Sequence, residues 1–121
     1  MAGARDFKRL VVWKKAHELA LRTYKWTRDF PSSERFSLTN QMQRAAVSIP
    51  ANIAEGCGRG GEAEMARYLH IAHGSSSELA YYAILAADLE YMGRDDADEL
   101  SMLVDEVSRM LTAYASKLRA T

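Results

Sequence analysis

The stretch Gln41-Met42-Gln43-Arg44-Ala45-Ala46-Val47-Ser48-Ile49-Pro50-Ala51-Asn52-Ile53-Ala54-Glu55-Gly56-Cys57-Gly58-Arg59 constrains the fold more than any other part of the chain. Its apolar residues recur at helical spacing, yet a proline stands near its middle. An interior proline removes a backbone hydrogen bond and sets its ring against the carbonyl four residues back, at a cost of about 3 kcal/mol or more. A chain keeps such a residue where the bend, or the groups it frees, serve packing, assembly or a site. The expectation is a long helix kinked at Pro50.

Three further amphipathic segments flank it. In the first, Val12, Ala16, Leu19, Thr23, Trp26 and Phe30 recur at alternating steps of four and three. Pro31 ends that segment, and Ser32-Ser33-Glu34 opens the next with cap-like residues. The third carries Met65, Leu69, Ala72, Ser76, Leu79, Ala83 and Ala86, mostly small, so a partner helix can approach closely. Gly74 inside it costs about 1 kcal/mol relative to alanine and suggests a tight helix crossing. Gly93 reads as its stop, with Asp95 or Asp96 capping the fourth segment. That last segment places Leu100, Leu103, Val107, Met110, Tyr114 and Leu118 on one stripe. Helices are expected at roughly 7–30, 34–59, 62–92 and 95–119, within a single domain spanning 1–121. Short connections imply antiparallel neighbours, hence an all-α, up-down-up-down four-helix bundle. Roughly the first six residues are expected to fray.

Composition narrows the function classes. Only two prolines and seven glycines occur in 121 residues, which suits long helices. The single cysteine, Cys57, excludes an internal disulfide. There is no signal-peptide pattern and no apolar run of about 18 residues, so the chain is expected to be cytoplasmic and not to enter a membrane. The net charge is zero but unevenly spread. Residues 1–30 hold eight Lys or Arg against three acids, and residues 62–121 hold five against eleven. Such a chain can present its basic helix to an anion, or pair its own halves within or between subunits.

Candidate sites emerge from the same spacing. Lys8, Lys15 and Arg22 recur every seven residues, with Lys14 and Lys25 beside them; this is the best candidate for nucleic-acid contact. Trp13, Tyr24 and Trp26 could stack bases but fit core or seam positions better. Arg44, Ser48, Asn52, Glu55 and Arg59 line a broad polar face of the second helix and read as a network fixing the bend or a subunit seam. Glu55 precedes Arg59 by four residues, which suits an ion pair. Asn52 could satisfy a carbonyl freed by the kink.

Other signals are weak. His70 and His73 share a helical face, but the Glu-x-x-His pairs of a di-iron bundle are missing, so no metal or other cofactor is expected. Cys57 sits at a helix C-terminus, where the dipole disfavours a thiolate. The glycines at 56, 58, 60 and 61 lack the Gly-Lys-Ser/Thr of a phosphate loop.

Phe7, Leu10, Val12-Trp13, Lys15-Ala16, Phe30-Pro31, Leu38, Gln41, Arg44 to Ile49, Asn52 to Gly56, Gly58-Arg59, Tyr68-Leu69, Ala72, Gly74-Ser75 and Glu78-Leu79 together resemble the four helix bundle protein family, also called the 23S ribosomal RNA intervening-sequence proteins. The resemblance covers nearly the whole chain. It implies a bacterial cytosolic bundle, a ring of five identical subunits and no enzymatic activity. Members are encoded within insertions of ribosomal RNA genes or as free-standing genes. A related branch comprises accessory proteins of diversity-generating retroelements, which bind nucleic acid and a reverse transcriptase. Gln43, Cys57, Gly60 and Gly61 depart from the family's pattern and remove positive charge or an aromatic ring. The expected function is a non-enzymatic homo-oligomer that binds RNA or DNA as an accessory protein. The alternative is a protein–protein scaffold with no nucleic-acid role.

Overall fold

A computed structural model of the chain describes residues 5–119. Four α-helices dominate it: α1 (Val11–Thr27), α2 (Leu38–Arg59), α3 (Glu62–Asp88) and α4 (Arg94–Arg119). The described residues contain no strand. Each helix packs on the next in sequence, and α4 closes on α1 along a thinner seam, giving a four-helix bundle. No described helix is long and apolar enough to cross a membrane.

The core forms where the apolar stripes converge. Leu19, Met42, Ile49, Ile53, Met65, Leu69, Leu79, Leu100, Val107 and Leu111 are almost completely excluded from solvent. At roughly 1.5–3 kcal/mol for each such side chain, these residues dominate the favourable side of folding. On α4 the buried line is Ala97, Leu100, Val104, Val107, Leu111 and Ala115. The expected stripe through Leu103, Met110, Tyr114 and Leu118 lies at its half-buried edge. Of these, Met110 and Tyr114 line a cleft with Val11 and Val12 at the start of α1.

The helix ends differ from the sequence-based expectation in several places, and α1 itself ends at Thr27, short of residue 30. Leu10 is extended, so Phe7–Arg9 form a separate 3-10 turn and α1 starts at Val11. Asp6 accepts from the Lys8 N–H, and the Arg5 N–H reaches the Cys57 carbonyl at 3.4 Å, so both residues are tied down. Residues 1–4 of the expected frayed end lie outside the described residues. Ser32–Glu34 form a 3-10 turn instead of opening α2, and the Glu34 carboxylate caps α2 by accepting from the Leu38 N–H at 3.2 Å. Helix α3 ends at Asp88, because Glu90 adopts a left-handed φ of 63° and turns the chain. Asp95 and Asp96 lie inside the first turn of α4, whose dipole they complement, while the Gly93 carbonyl accepts from the Ala97 N–H.

Helix α2 runs through Pro50 without interruption. The carbonyl that loses its partner to a proline at 50 belongs to Ala46. Asn52 does not cover it: its amide donates to the Ser48 carbonyl at 2.8 Å and to the Ser48 hydroxyl at 3.0 Å.

The tight crossing also lies elsewhere than expected. A Cβ on Gly74 would meet nothing within 4 Å. A Cβ on Gly56 would stand 2.9 Å from the Tyr68 Cβ and 3.0 Å from the Met65 sulfur. Gly56 is where α2 and α3 come closest to needing no side chain between them. Gly56→Ala is therefore expected to destabilise the fold by about 1–2 kcal/mol, an overpacking cost partly offset by helix propensity. Gly74→Ala is expected to stabilise the monomer by up to about 1 kcal/mol. Urea unfolding monitored by circular dichroism checks both signs.

At the far end of the bundle, Glu34 joins two connections. Its second carboxylate oxygen accepts from the Tyr91 hydroxyl at 3.0 Å, and Tyr91 leans on Phe30 at 5.7 Å. The bond to Glu34 raises the Tyr91 pKa above its ordinary value of 10.0. A raised folded-state pKa makes the link fully effective below about pH 10 and lost as pH climbs past the folded value. The urea midpoint of the wild type should exceed that of Tyr91→Phe at pH 8, and the gap should narrow above about pH 10.

Candidate functional site

Helices α2 and α3 run antiparallel, and their outer edge carries a polar seam made of three separate clusters. At one end the Tyr82 hydroxyl faces the Gln41 side-chain oxygen at 3.4 Å. In the middle the Ser48 and Ser75 hydroxyls share a hydrogen bond at 2.8 Å, and Ser48 is held in turn by Asn52. At the other end Arg59 donates to Glu55 at 3.0 Å and to the Tyr68 hydroxyl at 3.0 Å. Arg67, itself paired with Glu64 at 2.9 Å, donates to the same hydroxyl at 3.2 Å. Tyr68 and Glu55 hold the Arg59 guanidinium above its ordinary pKa, Tyr68 foremost.

Four members of the expected network are thus engaged, in two groups. Ser48 and Asn52 join Ser75, whereas Glu55 and Arg59 join Tyr68. Ser75 and Tyr68 were missed in the sequence because their partners lie on another helix. Arg44 belongs to neither group. It lines an open groove of about 280 Å³ with Gln41, Ala45, Ser48, Ser75 and Glu78. Among the described residues neither Arg44 nor Glu78 makes an ion pair, although both line the same groove.

The surface around this groove is small and apolar in places. On α2, Arg44, Ser48, Ala51 and Glu55 succeed one another at steps of four, three and four. On α3, Ile71, Gly74 and Glu78 form the facing stripe, with Ile71 39% exposed. Isolated exposed apolar residues are ordinary. Here they flank an unpaired guanidinium and an unpaired carboxylate.

The basic residues of α1 do not form one free stripe. Lys15 pairs with Glu106 of α4 at 3.7 Å, and Arg22 pairs with Glu99 of α4 while covering the Trp26 ring. Lys8, Lys14 and Lys25 have no acidic side-chain partner among the described residues. Trp13 stacks on His17 at 4.9 Å and meets Phe7 edge-on at 5.0 Å, so its ring is already occupied. Gln43 donates to the Thr27 hydroxyl at 3.0 Å and ties α2 to the end of α1.

Cys57 is 1% exposed, and burial pushes its thiol above the ordinary value, against the pull of Arg5. Both properties oppose a reactive thiolate. Among the described residues no group of three or more His, Cys, Asp or Glu could hold a metal ion. His70 and His73 line a cleft between α3 and α4 with Thr112 and Arg119.

Comparison with known proteins agrees with the four-helix fold. The family described as "23S rRNA-intervening sequence protein" matches residues 8–113. No curated protein matches the chain. Among solved structures it is similar to a protein of unknown function from the S23 ribosomal protein family of Bacteroides thetaiotaomicron. That similarity has a TM-score of 0.78 at 27% sequence identity and covers 87% of this chain and 98% of the other.

The seam itself is testable. Ser48→Ala leaves the buried Ser75 hydroxyl without its cross-helix partner, which should cost about 1–3 kcal/mol. Ser48→Ala with Ser75→Ala should recover part of that loss, because no orphaned hydroxyl remains. A double-mutant cycle in urea measures the coupling.

Proposed function

We propose that this chain, which belongs to the 23S rRNA-intervening sequence protein family, is a non-enzymatic building block that assembles with copies of itself through the outer face of α2 and α3. A five-subunit ring in the cytoplasm is the assembly that the family resemblance implies. One observation carries the reading. The α2/α3 groove presents Arg44 and Glu78 without ion-pair partners among the described residues, beside the small or apolar Ala51, Ile71 and Gly74. A contact between copies of one chain is served by such a mixture: opposite charges to set register and small residues to let backbones approach.

A second reading rests on the uncompensated Lys8, Lys14 and Lys25. One subunit offers few phosphate contacts, but a ring multiplies them, and salt-dependent affinity rises steeply with their number. The assembly would then serve as a nucleic-acid-binding accessory protein. Lys15 and Arg22 contribute less to it than their spacing suggests, since acids of α4 neutralise both.

Light scattering after size exclusion tests the assembly. The wild type is expected at a multiple of the chain mass, and Gly74→Arg, placed in open space, is expected to run as a folded monomer. A monomeric wild type, or an unchanged oligomer in Gly74→Arg, overturns the proposal. Anisotropy with labelled structured RNA and duplex DNA tests the second reading. A steep salt slope that flattens in Lys14→Glu with Lys25→Glu supports accessory binding. No binding at low salt leaves the scaffold.

A further inference from the structure

The opposite flank of α3 carries a different arrangement. His70 and His73 stand three residues apart on α3, and the cleft they line is closed by Thr112 and Arg119 of α4. Its floor is Leu69, Leu111 and Ala115, and its volume is about 230 Å³. Among the described residues no carboxylate lines it. Neither imidazole and not the Thr112 hydroxyl has a side-chain hydrogen bond among the described residues, and Arg119 makes only a long one to Ser116 at 3.5 Å. A second cleft of about 400 Å³ continues from the same His73 and Thr112 toward Ser108 and Arg109. Its one carboxylate, Asp105, is taken by Arg109 at 2.9 Å.

The donor set suits an anion better than a cation. A structural zinc takes four ligands, and the described residues offer no group of three. What converges instead is a guanidinium, two ring nitrogen pairs and a hydroxyl over an apolar floor. Guanidinium and imidazole donate to oxyanions through charge-assisted bonds, and a guanidinium matches two phosphate oxygens at once.

We propose that the α3/α4 cleft formed by His70, His73, Thr112 and Arg119 binds a phosphate group, either free phosphate or the terminal phosphate of a small monoester. The site lies across α3 from the α2/α3 groove and does not depend on self-assembly. In a monoester, the phosphate occupies the histidine end, and the rest of the molecule extends past His73 toward Arg109.

Carbon-detected ring signals of the histidines test this, with inorganic phosphate titrated against chloride at constant ionic strength. His17, held on Trp13 at the other side of the bundle, is an internal control. The expected result is saturable movement of His70 and His73 with His17 still. Arg119→Gln should weaken the affinity about tenfold, the loss of one charge-assisted pair. Adenosine 5′-monophosphate separates the two sources. Tighter binding with shifts spreading to Arg109 assigns the cleft to monoesters, and binding no tighter than phosphate assigns it to the free ion. Linear, non-saturating shifts, equal movement of His17, or an unchanged affinity in Arg119→Gln would each overturn the proposal. Circular dichroism of Arg119→Gln confirms that the comparison is made on a folded protein.

Discussion

The close approach of α2 and α3 at Gly56 governs the geometry around it. With no side chain at that position, Tyr68 and Met65 pack against the backbone of α2. Fixing one crossing point of two antiparallel helices fixes their register along the rest of their length. The pairs Arg59 with Tyr68, Ser48 with Ser75 and Gln41 with Tyr82 then fall opposite one another. Sliding either helix by one residue would rotate each pair by about 100° and break all three. Polar bonds of this kind add little net stability; of the three, the one with a buried partner, Ser48 with Ser75, penalises other registers, because it would leave the Ser75 hydroxyl buried and unpaired.

Charge acts on a second level. The basic start and acidic end of the chain meet where α4 closes on α1, through Lys15 with Glu106 and Arg22 with Glu99. These side chains are well exposed, and such pairs contribute about 0–1 kcal/mol. Their greater effect is on what the surface offers to others. They cancel the two best-spaced cations of α1 and leave the positive field to Lys8, Lys14 and Lys25. A basic stripe read from spacing alone overstates what a phosphate backbone would meet.

Much of the architecture is legible from periodicity. The four helices and most of their buried lines come from steps of three and four, and the Glu55–Arg59 pair from its spacing. What periodicity misses is set by partners distant in sequence. Gly56 and Gly74 are both helical glycines, and only the neighbouring helix distinguishes the crowded one from the free one. Ser75 and Tyr68 reveal their roles only once α2 lies beside them. The end of α3 escaped because a non-glycine residue, Glu90, takes the left-handed turn that Gly93 was expected to make. The start of α2 lies later than expected because Ser32-Ser33-Glu34, read together as its cap-like opening, form a separate 3-10 turn from which Glu34 caps the helix. In the candidate site, helical spacing put Arg44, Ser48, Glu55 and Arg59 on one face. It could not show that Arg44 would be left without a partner.

Pro50 bears on why that polar face exists. A proline in a helix removes a donor, so the only group it orphans is an acceptor, the Ala46 carbonyl. Under-satisfied carbonyls are tolerated more often than orphaned N–H groups. Pro50 is itself buried, and two residues of helix turn it about 200° away from Ser48. The flank that carries Ser48, Asn52, Glu55 and Arg44 therefore points away from the damage. Asn52 confirms the separation, since it bonds Ser48 and not Ala46. These polar residues do not repair the proline. Ser48, Asn52, Glu55 and Arg59 are accounted for by the seam with α3. Arg44 stands apart from that seam: it is exposed in the groove and makes no ion pair among the described residues, so solvent meets its charge and the fold itself does not depend on it.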